Sequence, residues 1–579
     1  MNDFYNPFEY EQANKLTTEN LFRYYIQDFN YSRFIYSKRN IILAGERGAG
    51  KTMSLLYNTY PVQLLKNKKD NLEIIPIYVP CNTPLTHKKE YLLFDKYTAS
   101  IISEHFFVIS ILHSISETLS GIKNLLTAEE VEELRVDFEY VLGFDLPKKI
   151  NIFTSITFFL NRELINTQTA LNSQDLDSFC EKSLSFSSGV MPFIACLRNC
   201  EKLKESHFSF MIDDAQYLNV YQNQALNSWI SYRDNSVISF KVATTKVDQP
   251  SKVTTSGGCI LEGHDYTYLD MEQPYRNQAS EFGQIARQII EKRLNQVDIT
   301  KTPEEFFPEN KKFRKDLERY KVIVKKEAEK KFGKKNKKKI NDYVYKYYRS
   351  EYFRSRPATA NRPTYSGFET IVHISSGVIR NLLDPCYKMY DRVYSELNVN
   401  KQNLEKNKVM IEEIPPNIQN EIILKRSREK WDSLKKVDND LVECSIDQGK
   451  QINNLFENLA TLFQERLMKH KSEPRAISFS ISGTDFWKYD ELMELIKISR
   501  KVQMLYTHSS SSKTAGKREV YFVPNRMLWP DRGLDPVGQH ARVSLQAKVL
   551  YDAAVHNIKI PFDFDKDKEI NAPVQQEMF

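Results

Sequence analysis

At 579 residues the chain is too long for one hydrophobic core, and at roughly 150 residues per domain it predicts three or four units. Apolar residues make up 41% and charged residues 27%, an ordinary globular balance, and no run of 18 or more apolar residues marks a membrane span. The net charge of +7 has one source: residues 311–340 hold 15 Lys and Arg against four acids, so the remainder carries −4. An electrostatic partner is therefore expected at that segment.

Seven cysteines, at 81, 180, 196, 200, 259, 386 and 444, are dispersed and odd in number. They read as reduced thiols of a cytoplasmic protein, and the N-terminus lacks a basic region followed by an apolar one, so no secretory signal is expected. Cys196 and Cys200 share a helical spacing, but no second pair follows at zinc-finger distance, so they read as core residues.

In chain order, residues 41–44 form an apolar strand, 45–52 a glycine loop, and 53–60 a helix. A second apolar run at 73–79 suits a buried parallel strand. Residues 98–200 are helical in pattern, with Val131, Leu134, Phe138 and Val141 at three- and four-residue spacing. Further strands are expected at 208–212 and 237–243, the latter running into Thr244 and Thr245. Strands alternating with helices imply an α/β fold with a parallel sheet covered on both faces.

Beyond about residue 270 the chain turns to helices and charge. Cations interleave with aromatics through 311–349, ending in Tyr343, Tyr345, Tyr347 and Tyr348 among Lys346 and Arg349. A loop follows around Pro357 and Pro363, then one or two helices at 366–395. Pro415-Pro416 opens a linker, with a helix expected at 451–469. The tail from Arg475 reads as a helix at 489–499 and strands at 502–506 and 519–523, joined by a Ser/Lys/Gly-rich loop at 509–517. The expected division is 1–270 as a nucleotide-binding core with a helical insert around 98–200, 271–400 as helices carrying the basic insertion 311–349, 401–474 as a helical linker, and 475–579 as a small C-terminal domain.

The octet Gly45-Glu46-Arg47-Gly48-Ala49-Gly50-Lys51-Thr52 is a P-loop pattern, placed between a strand and a helix. Its glycines let successive backbone N–H groups curl round phosphates, and the helix that follows, beginning near Met53, adds its positive end. Lys51 is expected to reach the β- and γ-phosphates, and the Thr52 hydroxyl to ligate Mg²⁺. The strand Phe208-Ser209-Phe210-Met211-Ile212 ends in Asp213-Asp214. Asp213 is expected to support the metal and Asp214 to act as general base. An aspartate base is one methylene shorter than glutamate, so slow hydrolysis is expected. The only Asn-Lys-x-Asp tetrad, Asn67 to Asp70, precedes the second strand, the wrong place to read guanine, so ATP is the expected nucleotide.

These segments, with Ser375-Ser376-Gly377-Val378-Ile379-Arg380, resemble the AAA+ ATPases of the origin-recognition-complex-like clade, which includes bacterial members of mobile and defence loci. The resemblance implies a helical lid at 271–400 and a winged-helix-like domain at 475–579. It makes Arg380 the sensor 2 arginine facing the γ-phosphate, and Thr244 or Thr245 sensor 1, with Thr245 counted among the catalytic residues. It also likens Asn6-Pro7 to a segment packed near adenine. Sensor 1 is often Asn in that family, and the nearest candidate for an arginine finger, Arg233, lies before the sensor 1 strand.

Two partner readings stand together. Lys334, Lys335, Lys337 and Lys338 in the insertion, and Lys513, Lys517 and Arg518 in the tail, are candidate DNA phosphate contacts. A solvated lysine-rich helix and a protein-binding winged helix would read the same way. The first reading is a Mg-ATP-dependent switch associated with DNA. The alternative is a STAND-type signalling ATPase that assembles with an effector protein. Either implies homo-oligomers or a protein partner, and neither implies a membrane.

Overall fold

The computed structural model describes residues 6–9, 13–26, 31–67, 71–82, 90–147, 150–173, 183–232, 236–247, 250–271, 281–355, 364–400, 411–440, 444–469, 475–482, 488–511, 518–537 and 542–562. The chain divides into two compact units. One is Glu11–Glu272; the other joins Met1–Tyr10 to Gln273–Phe579.

The first unit is built on five parallel strands in the order β2-β3-β4-β1-β5. These are β1 Ile41–Ala44, β2 Ile74–Pro80, β3 His207–Asp213, β4 Ile238–Thr244 and β5 Thr267–Asp270. Parallel neighbours need crossovers, so both faces are covered and the central strands are mostly apolar, interrupted by Ser209 on β3 and by Ser239 and Lys241 on β4. All seven residues of β3 are buried, as are all seven of β4. One face carries Ile75, Ile77, Val79, Phe208, Phe210, Ile212, Phe240 and Val242 into the main core; the other sets Ile41, Leu43, Met211 and Ala243 against Leu55. Leu55 belongs to α1, Lys51–Tyr57. Asn40 fixes the start of β1: its Nδ2 donates to Asp265 O (3.1 Å) and its Oδ1 accepts from Phe240 N (2.9 Å).

The insert between β2 and β3 is helical, with α2 Lys96–Ser120, α3 Ala128–Leu142 and α4 Ile152–Ser173. By length and composition α2 could cross a membrane, but 67% of its apolar stretch is buried inside this unit, as befits a core helix. Asp95 caps it, and a reciprocal Thr127–Glu130 capping box starts α3. After β3, α5 spans Val220–Ser231.

The sequence signals for β5 were too weak to see: it is a four-residue edge strand, buried only in part. It pairs along the whole of β1, from Ile41 opposite Thr267 to Ala44 opposite Asp270.

The second unit is mainly helical. Helix α6 spans Glu281–Asn295, and α7 Lys311–Phe332 and α8 Lys337–Ser355 form a packed hairpin turning at Gly333, whose φ is 76°. Then come α9 Phe368–Ile374, α10 Ile379–Asn400, α11 Pro416–Leu434 and α12 Ile446–Lys469. Residues 366–395, expected to hold one or two helices, thus hold parts of two. Residues 6–9 fold here: Phe8 is enclosed by Phe306, Phe307 and Tyr390, Asn6 Nδ2 donates to Tyr387 O (3.0 Å), and Arg293 Nη1 donates to Pro7 O and Glu9 O.

The C-terminal part runs β6 Ser478–Ser482, α13 Asp490–Lys501, β7 Leu505–Ser511, β8 Arg518–Pro524, β9 Arg542–Gln546 and α14 Ala547–Val555. The sheet order is β7-β8-β6-β9, with β8 antiparallel to both neighbours and β9 parallel to β6. Strands β6 and β9 were not anticipated, and β7 begins after the expected start at 502, because α13 continues to Lys501. A buried ion pair ties this part to the hairpin: Arg349 on α8 donates through Nε and Nη2 to Asp535 at 2.7 and 2.8 Å.

Candidate functional site

The site lies at the C-terminal ends of β1, β3 and β4, where open parallel sheets leave room for ligands. Gly48 and Gly50 have φ of 85° and 96°, conformations closed to most L-residues, and Gly50 sits at the N-cap of α1. Gly45 is constrained by space instead: a Cβ there would lie 3.2 Å from Met271 Cβ and 3.3 Å from Ala49 Cβ. Lys51 is buried, its Nζ donating to Gly45 O (2.7 Å) and Glu46 O (3.1 Å), so its charge points into the loop it ends. Glu46 is buried too, while Met53 packs half-buried beside the Leu21–Tyr25–Tyr57 cluster.

Asp213, at the end of β3, is held on every side. Its Oδ1 accepts from Asp214 N (3.0 Å), its Oδ2 accepts from the Tyr78 phenol on β2 (2.8 Å), and its carboxylate also shares a hydrogen bond with the Thr52 hydroxyl. Burial pushes this carboxyl above its ordinary pKa and the Asp214 charge adds to the rise; the hydrogen bonds from Thr52 and Tyr78 and the charge of Lys51 oppose it. The P-loop and the acidic pair therefore meet at one point. Asp214 adopts a left-handed conformation (φ 56°), and Gln216 Nε2 donates to its Oδ1 at 2.9 Å.

Thr244 ends β4 and Thr245 follows it. Gly45 N donates to Thr244 O (3.2 Å), which sets these threonines beside the P-loop. Both hydroxyls are buried and have no hydrogen-bond partner among the described residues. Buried donors left bare are costly, so a polar ligand suits the place.

Sequence reasoning did not assign Tyr78 or Tyr217. Tyr217 accepts a hydrogen bond from Arg47, whose guanidinium stands 5.7 Å from the ring centroid, joining the P-loop tip to the turn after Asp214. A usable signal for Tyr78 was its phenol within an otherwise apolar buried run, which needs a polar partner.

The remaining expected residues belong to other elements or lie outside the described residues. Arg380 is exposed at the start of α10 in the second unit and makes no ion pair among the described residues. Lys334, Lys335, Lys337 and Lys338 lie exposed at the tip of the α7–α8 hairpin. Arg518 begins β8. Arg233, Lys513 and Lys517 lie outside the described residues.

A family model described as ORC-CDC6-like matches residues 6–545. The chain belongs to the ORC-CDC6-like family. Its five-stranded parallel sheet and mostly helical second unit are the AAA+ ATPase architecture of that family. Among solved structures, Cdc6p from Pyrobaculum aerophilum is 11% identical, with 95% of this chain and 96% of that one covered at a TM-score of 0.30. The Aeropyrum pernix ORC1 protein, solved in complex with DNA, is 12% identical over 91% and 95% of the two chains, also at 0.30. The Aeropyrum pernix ORC2 protein, in ADPNP–ADP complexes, is 11% identical over 96% and 97%, at 0.32. No curated protein matches this ORC-CDC6-like sequence.

The residues present fit a nucleotide with a divalent cation. A carboxylate pushed up by burial and by a neighbouring acid is relieved by a cation, and the Thr52 hydroxyl is already at that carboxylate.

Proposed function

We propose that this ORC-CDC6-like protein is a cytoplasmic Mg-ATP-dependent ATPase that hydrolyses ATP slowly to ADP and phosphate and acts as a nucleotide-driven switch associated with DNA. The observation that carries the ATPase reading is the meeting of Lys51 and Thr52 with Asp213 in one buried cluster. Residues 45–53 bind the phosphates through curled amides and Lys51. Thr52 and Asp213 would hold the metal, which would supply charge neutralisation. Asp214 accepts the proton of the attacking water, Thr245 or Thr244 contacts the phosphate or that water, and Arg380 senses the γ-phosphate.

The DNA association rests on the hairpin tip, where Lys330, Lys331, Lys334, Lys335, Lys337, Lys338 and Lys339 are all exposed within ten residues. The helix–strand–helix–hairpin order of α12, β6, α13, β7 and β8 supports the winged-helix-like reading, with Arg518 at the start of the second hairpin strand. Two observations favour the alternative, a STAND-type switch with an effector protein. The outer face of α13 is mixed in charge, with Lys497 3.6 Å from Glu494. The helical insert also exposes Val136 and Tyr140 on α3, and Phe158 and Ile165 on α4.

The ATPase reading is tested with nucleotide affinity and turnover. Lys51→Ala is expected to abolish ATP binding, and Asp214→Asn to keep binding and lose turnover. Retained ATP affinity in the lysine variant contradicts the site; unchanged turnover in the aspartate variant assigns the base elsewhere.

A further inference from the structure

Asp214 is a short base, and the structure places a second polar arm next to it. Gln216 sits in the one-turn segment Ala215–Tyr217 that follows the acidic pair, and this turn packs against β4. The left-handed backbone at Asp214 folds the chain so that Gln216 returns to it, with Nε2 2.9 Å from Asp214 Oδ1. A carboxylate accepts and does not donate, so the amide nitrogen must be the atom facing it. The amide oxygen is therefore the atom with no bond to Asp214. That Oε1 is buried and has no hydrogen-bond partner among the described residues, like the Thr244 and Thr245 hydroxyls at the end of the adjacent strand. A buried acceptor of this kind calls for a donor.

We infer that Gln216 is a catalytic residue that holds the attacking water together with Asp214, an assignment that rests on the ATPase reading above. One water hydrogen is donated to Gln216 Oε1 and the other to Asp214 Oδ2, which the Gln216 amide leaves free by engaging Oδ1. Two anchors fix both the position and the rotation of the water, and they compensate for the missing methylene of the base. In the step itself the water oxygen bonds to the γ-phosphorus while the bond from that phosphorus to the β,γ-bridging oxygen breaks. The electron pair of the broken bond leaves with ADP. The proton aimed at Asp214 passes to its carboxylate, and the one held by Gln216 stays on the new phosphate.

The competing role for Gln216 is purely to orient Asp214. Turnover, ADP affinity and affinity for ADP with aluminium fluoride, a mimic of the transferring phosphoryl group, separate the two. Gln216→Ala is expected to lower kcat by on the order of 100-fold with KM little changed, the scale of a lost preorganised hydrogen bond at the reacting atoms. Its affinity for ADP should be unchanged, which also shows that the variant is folded, and its affinity for ADP–aluminium fluoride should fall. Gln216→Met, which keeps the side-chain length, should behave alike. The deciding arm is the Asp214→Asn background, where Gln216→Ala should weaken ADP–aluminium fluoride binding again. No further weakening there, or an unchanged kcat in the single variants, overturns the inference and leaves the ATPase reading standing. A wild-type protein that binds no ATP, or binds it without turnover, overturns that reading and this inference with it.

Discussion

His105 shows how one residue makes the helical insert sensitive to acid. Leu184 N donates to its Nδ1 (2.9 Å), which leaves Nε2 as the donor to Thr167 Oγ1 (3.2 Å), while that hydroxyl donates onward to Glu163 O (2.7 Å). The ring is satisfied only as the neutral form, and burial pushes its pKa from the ordinary 6.5 down to about 4. Between these values the unfolded chain binds more protons than the folded one, so stability rises with pH across that window and is lost as pH falls through it. The shift corresponds to about 3 kcal/mol. Chemical denaturation at pH 4.5 and pH 7 should show this loss on acidification, and His105→Gln should shrink it; an equal loss in the variant would put the acid sensitivity elsewhere. At the same scale, the meeting of Lys51 and Thr52 with Asp213 was legible in the sequence, because loop chemistry dictates residue type and spacing. The contacts of Tyr78, Gln216 and Tyr217 were not, since they come from strand register and one left-handed residue, which bring together positions far apart in the chain or unremarkable in it.

Among the elements, the α7–α8 hairpin is the clearest case of charge read straight from sequence. Its apolar positions Phe313, Leu317, Val324 and Ala328 recur at helical spacing and are buried, which forces the lysines outward. The aromatics expected to interleave with them are partly occupied within the hairpin: Tyr343 and Tyr347 pack at 4.3 Å, and Lys331 stands 5.3 Å from the Tyr343 ring. Tyr345 remains exposed for stacking. If the tip meets phosphate, binding to duplex DNA should fall steeply with salt, by about 0.9 log units of affinity per log unit of salt for each phosphate neutralised. Replacing Lys334, Lys335, Lys337 and Lys338 with Ala should flatten that slope in a titration at several salt concentrations; an unaltered slope would remove the hairpin from the interface. Four of the five parallel strands were legible as mainly apolar runs, because strands buried on both faces have no alternation to blur. The short β5, β6 and β9 escaped because, unlike the equally short β1, they are partly polar.

For the molecule as a whole, a nucleotide switch requires that ATP and ADP favour different states, and a ligand shifts an equilibrium only by its differential affinity. A sizing measurement with ADP and with ATP, with and without DNA, should show a larger species with ATP, enhanced by DNA if the hairpin reading holds. An identical profile in all four conditions would rule out nucleotide-controlled assembly. Sequence order and spatial order part company at the N-terminus: Asn6 and Phe8 are docked among helices that begin almost three hundred residues later, while Glu11–Glu272 is continuous. During synthesis the P-loop unit can close as soon as its own last strand has left the ribosome, ahead of anything downstream. Residues 6–9 must meanwhile stay undocked until Phe306, Phe307 and Tyr390 have been translated, so they reach their place after a unit that follows them in the chain.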